Sequence, residues 1–152
     1  KEVIQMVESS YGMGITIAED GQMALRISEV RCAINIHKHE ELMDDVIALA
    51  VTQADAFVDS NISRPAPEAM IWLAKLRLAA YYAYTAYADR VFNELAGVFD
   101  REGNWNPVGQ AIWRETRDKL QALEKLANQA LKQIGIDPEM LPVTIPHFGT
   151  IR

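Results

Sequence analysis

The sequence predicts a mainly α-helical protein: a compact bundle of about four to five helices, a small N-terminal β-hairpin and an extended C-terminal tail. Apolar residues recur at helical spacing over residues 40–59 and 107–134. A third stretch, residues 67–97, follows a double proline and is apolar on nearly all sides. With 152 residues, 49% of them hydrophobic and 24% charged, the composition is that of one globular domain with a real core. We assign residues 1–135 to a single helical domain and 136–152 to the tail.

The hairpin is predicted over residues 15–27, in the one part of the sequence that alternates like a strand. Ile15–Ala18 and Met23–Ile27 flank Asp20 and Gly21, a pair that suits a type I′ turn. An isolated hairpin is only marginally stable in water. This one is therefore expected to pack on the helices or to pair with another chain.

A short helix and a polar elbow come next. Ser28 is a suitable N-cap for a helix that ends at Ile34. Cys32, the single cysteine, sits among apolar positions of this helix, which predicts a buried and unreactive thiol. With one cysteine, neither an intrachain disulfide nor a cysteine-based zinc site can form.

The second predicted helix runs from Glu40 to about Asp59. Its apolar stripe includes Leu42, Val46 and Leu49, and acidic residues occupy the opposite face. Acidic side chains near its first turns favour the positive end of the helix dipole. The pattern predicts an amphipathic helix with a solvated acidic face.

Pro65 and Pro67 end that helix, and Pro67 suits the first position of the next one, which can run to Gly97. A helix this apolar must be surrounded by other helices or by another subunit. A membrane span is rejected because Lys75 and Arg77 would each cost about 2.5–3.5 kcal/mol near a bilayer centre.

The last helix is predicted from a cap at Asn106 and a first turn at Pro107 to about Ile134, with Gly135 as its end. Val108 and Ile112 are placed on its apolar face. Three prolines make the tail extended, and its apolar residues predict that it docks on its own subunit or on a neighbour.

Charge and motifs argue against several functions. The net charge of −6 does not suit a broad nucleic-acid-binding face. His37 and His39, with His147 as a third ligand, are the one cluster that resembles a metal site, but the i,i+4 spacing of a helical zinc motif is absent. No nucleophile elbow or phosphate-binding loop is present in the sequence. The prediction is a protein that is not an enzyme and has no cofactor.

One stretch resembles a known family. Residues 25–36, 37–50 and 54–58 form a short helix, an elbow ending in two glutamates and an amphipathic helix. A proline-containing break and an alanine-rich helix follow at residues 67–87. This order is similar to that of the head–tail connector (head-completion adaptor) proteins of tailed phages. The hairpin region, the long last helix and the tail depart from the short members of that family.

The resemblance implies a structural protein of the virion neck, assembled in the host cytoplasm. In that family the subunits form a ring, commonly of twelve copies, between the portal protein and the tail or a second adaptor. DNA would pass through the ring without specific binding, and no membrane is involved. The residues expected at a partner interface are Tyr81, Tyr84, Pro142, Ile145, Phe148 and Ile151. Those expected to face the channel are Asp44, Asp45 and Asp55.

Two other hypotheses stay open. One is a soluble helical binding or regulatory domain, which could be dimeric. The other is a small metalloenzyme that uses His37 and His39. The first is favoured if removal of residues 136–152 leaves partner binding unchanged, and the second requires a metal ion bound to the purified protein.

Overall fold

Four α-helices account for most of the computed structural model, which describes residues 17–95 and 107–137, with side chains from residue 21 onward. They are α1 (Ile17–Ile34), α2 (Asp44–Asn61), α3 (Glu68–Leu95) and α4 (Pro107–Gln133). Helix α3 lies at the centre and contacts the other three, most extensively α4 and α2. All of the regular secondary structure in these two ranges is helical, which confirms the mainly α prediction.

The hairpin prediction is corrected where the structure describes the chain. Residues 15 and 16 lie outside the described residues, but Met23–Ile27, the predicted second strand, belongs to α1. Met23, Ile27, Val30 and Ile34 are spaced by four, three and four residues, and all four pack in or against the core. The same apolar residues therefore satisfy a helical period as well as a strand alternation, and packing against α2 and α3 selects the helix.

The inward face of α1 also differs from the prediction at Cys32. The Cys32 thiol is exposed, so the expectation of a buried thiol is wrong. Its neighbour Arg31 is buried instead, with 8% of its surface exposed. One residue is a rotation of about 100° around a helix, and this rotation turns Cys32 away from the core.

Helix α2 begins later than predicted. Glu41 and Leu42 donate their backbone N–H groups to the Lys38 carbonyl, at 3.1 and 3.3 Å, and so close a turn before the helix. Met43 is extended, with φ −70° and ψ 147°, and Asp44 is the first helical residue. Leu42 is buried in this turn, which places the preceding residues outside the helix. The end near Asp59 and the proline break are confirmed, because α2 ends at Asn61 and α3 begins at Glu68.

Helix α3 is surrounded on most sides, as its apolar sequence predicts. The carbonyl of Pro67 accepts the N–H groups of Met70 and Ile71, which starts the helix. Its buried small residues, each at most 1% exposed, are Ala74, Ala79, Ala80, Ala83 and Ala88. Such residues let neighbouring helices approach closely. Within the described ranges, none of the helices is apolar over a long enough run to cross a membrane.

Helices α1 and α4 end in the same way. Asn35 has φ +57° and Gly135 has φ +82°, both in the left-handed region. The following residues, Ile36 and Ile136, donate their N–H groups back to the carbonyls of Arg31 (3.2 Å) and Leu131 (2.9 Å). This is the Schellman arrangement, which satisfies carbonyls that a helix end otherwise leaves free. The prediction that Gly135 ends the last helix is confirmed.

Replacing Gly135 by alanine is expected to lower the free energy of unfolding by about 1–2 kcal/mol, the cost of a left-handed conformation for an L-residue. An added Cβ would also lie 2.6 Å from Nε of Arg64, so the Arg64 side chain would have to move. Equilibrium urea unfolding measures the loss.

Gly21→Ala is the matched control. An added Cβ at Gly21, inside α1, meets no atom within 4 Å. We therefore expect this change to stabilise the chain by roughly 0.5–1 kcal/mol. A Gly135→Ala protein as stable as the unmodified chain would contradict the assigned role of Gly135.

Candidate functional site

Residues 35–43, between α1 and α2, form a segment that we call the elbow. His37, Lys38, His39 and Glu40 are all exposed there, while Ile36 and Leu42 are buried at 5% and 4%. The elbow thus presents four polar side chains to solvent and is anchored by one apolar side chain on either side of them.

Arg31 fixes the elbow from within. Its guanidinium donates to the carbonyls of Ile36 (3.1 Å) and Leu42 (2.7 Å) and to Oδ1 of Asp44 (2.5 Å). One side chain therefore joins the start of the elbow, its end and the first residue of α2. Because Arg31 is buried, these hydrogen bonds also satisfy a charge that water cannot reach freely.

Two further cations reach the same region from α3 and α4. Nη1 of Arg90 donates to the carbonyls of Glu40 (2.8 Å) and Glu41 (2.5 Å). Nζ of Lys119 donates to the carbonyl of Ile34, at the end of α1. Burial lowers the pKa of Lys119, although the nearby Glu115 carboxylate opposes this shift. Arg31 of α1 and Arg90 of α3 thus hold the main-chain carbonyls of the elbow, and Lys119 of α4 holds the end of α1 just before it. The sequence did not reveal these contacts.

The three aspartates expected to face a channel lie on α2 in different settings. Asp55 accepts two hydrogen bonds from the Arg26 guanidinium, at 2.7 and 3.1 Å. Asp44 accepts from Arg31, and Asp45 is exposed. Two of the three carboxylates therefore join α2 to α1, and Asp45 is left as an exposed negative charge on the first turn of α2.

Asp44 makes the stability of the folded chain depend on pH. The hydrogen bond from Arg31, together with the charges of Arg31 and His39, lowers the pKa of Asp44 in the folded protein below its usual value near 3.8, against an opposing effect of burial. The stabilisation is therefore present above about pH 4 and is lost as pH falls through the lower, folded-state pKa.

We expect Asp44→Asn to flatten the dependence of stability on pH below pH 4, whereas the exposed Asp45→Asn should leave it unchanged. Urea midpoints between pH 2 and 6 measure both, and identical profiles for the two variants would contradict the Arg31–Asp44 pairing.

Tyr81 and Tyr84 lie inside the chain. They are 3% and 4% exposed, between α3 and α4. The Tyr81 hydroxyl donates to Oε2 of Glu124 at 3.2 Å, and Nζ of Lys119 lies 5.0 Å from the centroid of the Tyr84 ring. Burial raises the pKa of Tyr84 to about 12. Both side chains hold α4 on α3 and offer no free surface in the described chain.

The other predicted site residues are scattered or lie outside the described ranges. Nε2 of His37 is 3.2 Å from Oδ1 of Asn35, and Nδ1 of His39 is 3.8 Å from Oδ1 of Asp44. Among residues 17–95 and 107–137, His, Cys, Asp and Glu side chains form no group of three that could hold a metal ion. The remaining interface candidates fall beyond Asp137, outside the described residues: Pro142, Ile145, Phe148 and Ile151.

An apolar stripe on α4 is exposed. Val108, Ile112 and Leu126, the α4 stripe, are 69%, 43% and 40% exposed. They lie within about 40° of one another around the helix, because four and eighteen residues are close to whole numbers of turns. Val108 and Ile112 are neighbours, whereas Leu126 lies about 21 Å further along the axis, beyond Glu115 and Lys119 on the same side. The sequence predicts Val108 and Ile112 on the apolar face of α4, and in the structure both are exposed. Their stripe lies beside the face that packs on α3 rather than within it.

A groove of about 520 Å³ lies between α2 and α3. Phe57 and Tyr82 are its large apolar side chains. Its other lining residues are Gln53, Ala56, Thr85, Ala86 and Asp89. Burial raises the pKa of Asp89, the single charged side chain in this lining. The sequence did not predict this groove, because its shape depends on how α2 crosses α3.

The resemblance to head–tail connectors is carried by residues that include the second half of α1, the elbow and α2. In the structure these residues form a helix, a turn and a second helix. Comparisons of the chain with family models, curated proteins and solved structures found no match.

Proposed function

We propose that this chain is a structural protein of a phage neck, a head–tail connector whose copies form a ring between portal and tail around the DNA channel. The observation that carries the proposal is the exposed α4 stripe, in which Val108 and Ile112 are neighbours near the start of the helix and Leu126 lies on the same side nearer its end. Apolar side chains that share a face and stay exposed favour a contact with another protein.

The position of the α4 stripe favours a head-to-tail contact. Helices α2 and α4 pack on α3 but contact each other little, so they present different surfaces. On α1 and α2, Leu25 and Leu49 are 61% and 58% exposed. A contact between the α4 stripe of one copy and this α1–α2 surface of the next joins unlike patches, and such contacts form a ring when the rotation between successive copies closes.

The elbow supports the same role. Its shape is held by cations from α1 and α3, and Lys119 of α4 fixes the end of α1 beside it, while its polar side chains are exposed to solvent. A surface that is fixed before binding loses less conformational entropy when a partner docks on it. In the proposed ring the elbow and the exposed Asp45 carboxylate form one polar end, and this negative charge repels the DNA backbone rather than binding it.

Mixing two interface variants tests the ring. Ile112→Glu disables the α4 stripe, and Leu49→Glu disables the α1–α2 surface. Each variant alone should fail to assemble with the portal in electron micrographs and native mass spectra. A one-to-one mixture retains one intact junction, so it should form a heterodimer and no ring. Gln121→Glu, an exposed substitution on another side of α4, is the control and should assemble normally.

The alternative is a dimeric helical binding domain, and the α4 stripe would be its dimer contact. A twofold dimer would pair the stripe with itself. In that case Ile112→Glu abolishes the dimer and Leu49→Glu has no effect. A chain that stays monomeric both alone and with the portal would contradict the ring.

A further inference from the structure

The groove between α2 and α3 has the character of a binding site for an apolar segment with one positive charge. Phe57 and Tyr82 supply apolar surface, and Asp89 supplies the carboxylate. Within the described residues Asp89 has no ion-pair or hydrogen-bond partner. A carboxylate beside apolar side chains is stabilised when a cation joins it, because burial alone disfavours its charged form.

The chain contains a segment that can reach this groove. Helix α4 ends at Gly135, which lies against the Arg64 side chain in the connection between α2 and α3. The last described residues therefore lie at the end of the bundle where α3 begins, and residues 138–152 follow from there in the sequence. Fifteen residues in a proline-rich, extended conformation span about 46 Å. The distance along α3 from Glu68 to Asp89 is about 32 Å, so the segment is long enough.

The chemistry of that segment complements the groove. It carries the apolar residues Leu141, Val143, Ile145, Phe148 and Ile151. Arg152 is its one side chain that is cationic at all physiological pH values, and it directly follows Ile151. Prolines at every fourth position, 138, 142 and 146, reduce the conformational entropy that the segment loses on docking.

We propose that residues 138–152 bind in the α2–α3 groove of their own chain, with Phe148 and Ile151 against Phe57 and Tyr82 and with Arg152 paired to Asp89. The tail is then the ligand of the groove, and the groove is the binding site of the tail. This inference does not depend on the phage-neck function, because it concerns one chain in isolation.

Disulfide trapping in the full-length chain tests the contact. In a Cys32→Ser background, Gln53→Cys at the groove is combined with Thr150→Cys in the tail and oxidised with diamide. We expect an intrachain disulfide, detected by peptide mapping and by a monomeric band on a non-reducing gel. Gln121→Cys with Thr150→Cys is the matched control, since Gln121 is equally exposed, lies on α4 outside the groove and is also within reach of the tail.

Three results would overturn the proposal. Equal trapping at positions 53 and 121 would mean that the tail has no preferred site. A disulfide-linked dimer would mean that the tail binds a neighbouring copy. Absence of trapping at position 53, with the helical circular dichroism intact, would mean that the groove has another occupant.

Charge exchange tests the Arg152–Asp89 pair separately. Asp89→Lys and Arg152→Asp should each lower the yield of the Gln53–Thr150 disulfide roughly two- to fivefold, the range of a partly exposed ion pair. The double variant restores an opposite-charge pair and should recover the yield. A double variant no better than either single variant would contradict the pairing.

Discussion

Replacing Arg31 by alanine is expected to lower the free energy of unfolding by about 3 kcal/mol, because three charge-assisted hydrogen bonds are lost and buried carbonyls lose their donor. The carbonyls concerned belong to Ile36 and Leu42, both buried residues. Equilibrium urea unfolding followed by circular dichroism measures the change. Hydrogen exchange should also speed up across residues 36–43, because Arg31 joins both ends of the elbow.

Two controls separate the hydrogen bonds from charge alone. Arg31→Lys keeps the charge but replaces the guanidinium fork by a single ammonium, so we expect it to recover only part of the stability. Arg114→Ala removes an exposed arginine on α4 and should change the free energy of unfolding by less than about 0.5 kcal/mol. A loss below about 1 kcal/mol for Arg31→Ala would show that the elbow does not depend on this residue.

Replacing Leu78 by alanine should also cost about 3 kcal/mol, in the range measured for buried leucines. Leu78 is fully buried on α3, the helix that contacts the other three. Truncation removes apolar contacts and leaves a cavity, which the small alanines around α3 cannot fill by rearranging their side chains. Differential scanning calorimetry and urea unfolding both report this loss.

Leu25→Ala is the control for Leu78→Ala, since Leu25 is 61% exposed. Its effect should stay within about 0.5 kcal/mol. Leu78→Met preserves most of the volume and should cost less than about 1.5 kcal/mol. If Leu25→Ala and Leu78→Ala were equally destabilising, α3 would not be the centre of the core.

Helix boundaries set by backbone chemistry were predictable from the sequence. Proline cannot continue a helix, so Pro65 and Pro67 separate α2 from α3. Glycine tolerates a positive φ, so Gly135 ends α4. Each of these signals depends on a single residue and its own backbone. Packing elsewhere in the fold does not change them.

Features that depend on packing between helices could not be predicted from the sequence. Residues 23–27 fit a strand and a helix equally well until α2 and α3 are in place. The role of Arg31 could not be predicted, because its acceptors belong to a segment that folds back onto it only in three dimensions. Val108 and Ile112 share the apolar side of α4, but whether they are covered depends on how far α3 extends around that helix.

The elbow is held through main-chain oxygen atoms, which every amino acid possesses. Arg31, Arg90 and Lys119 would therefore keep the same acceptors if the outward side chains at positions 37–40 were exchanged for others. Evolution can thus alter what this surface recognises without redesigning the frame beneath it. The same property makes positions 37–40 a natural place to graft a short recognition sequence, with the three cations left untouched.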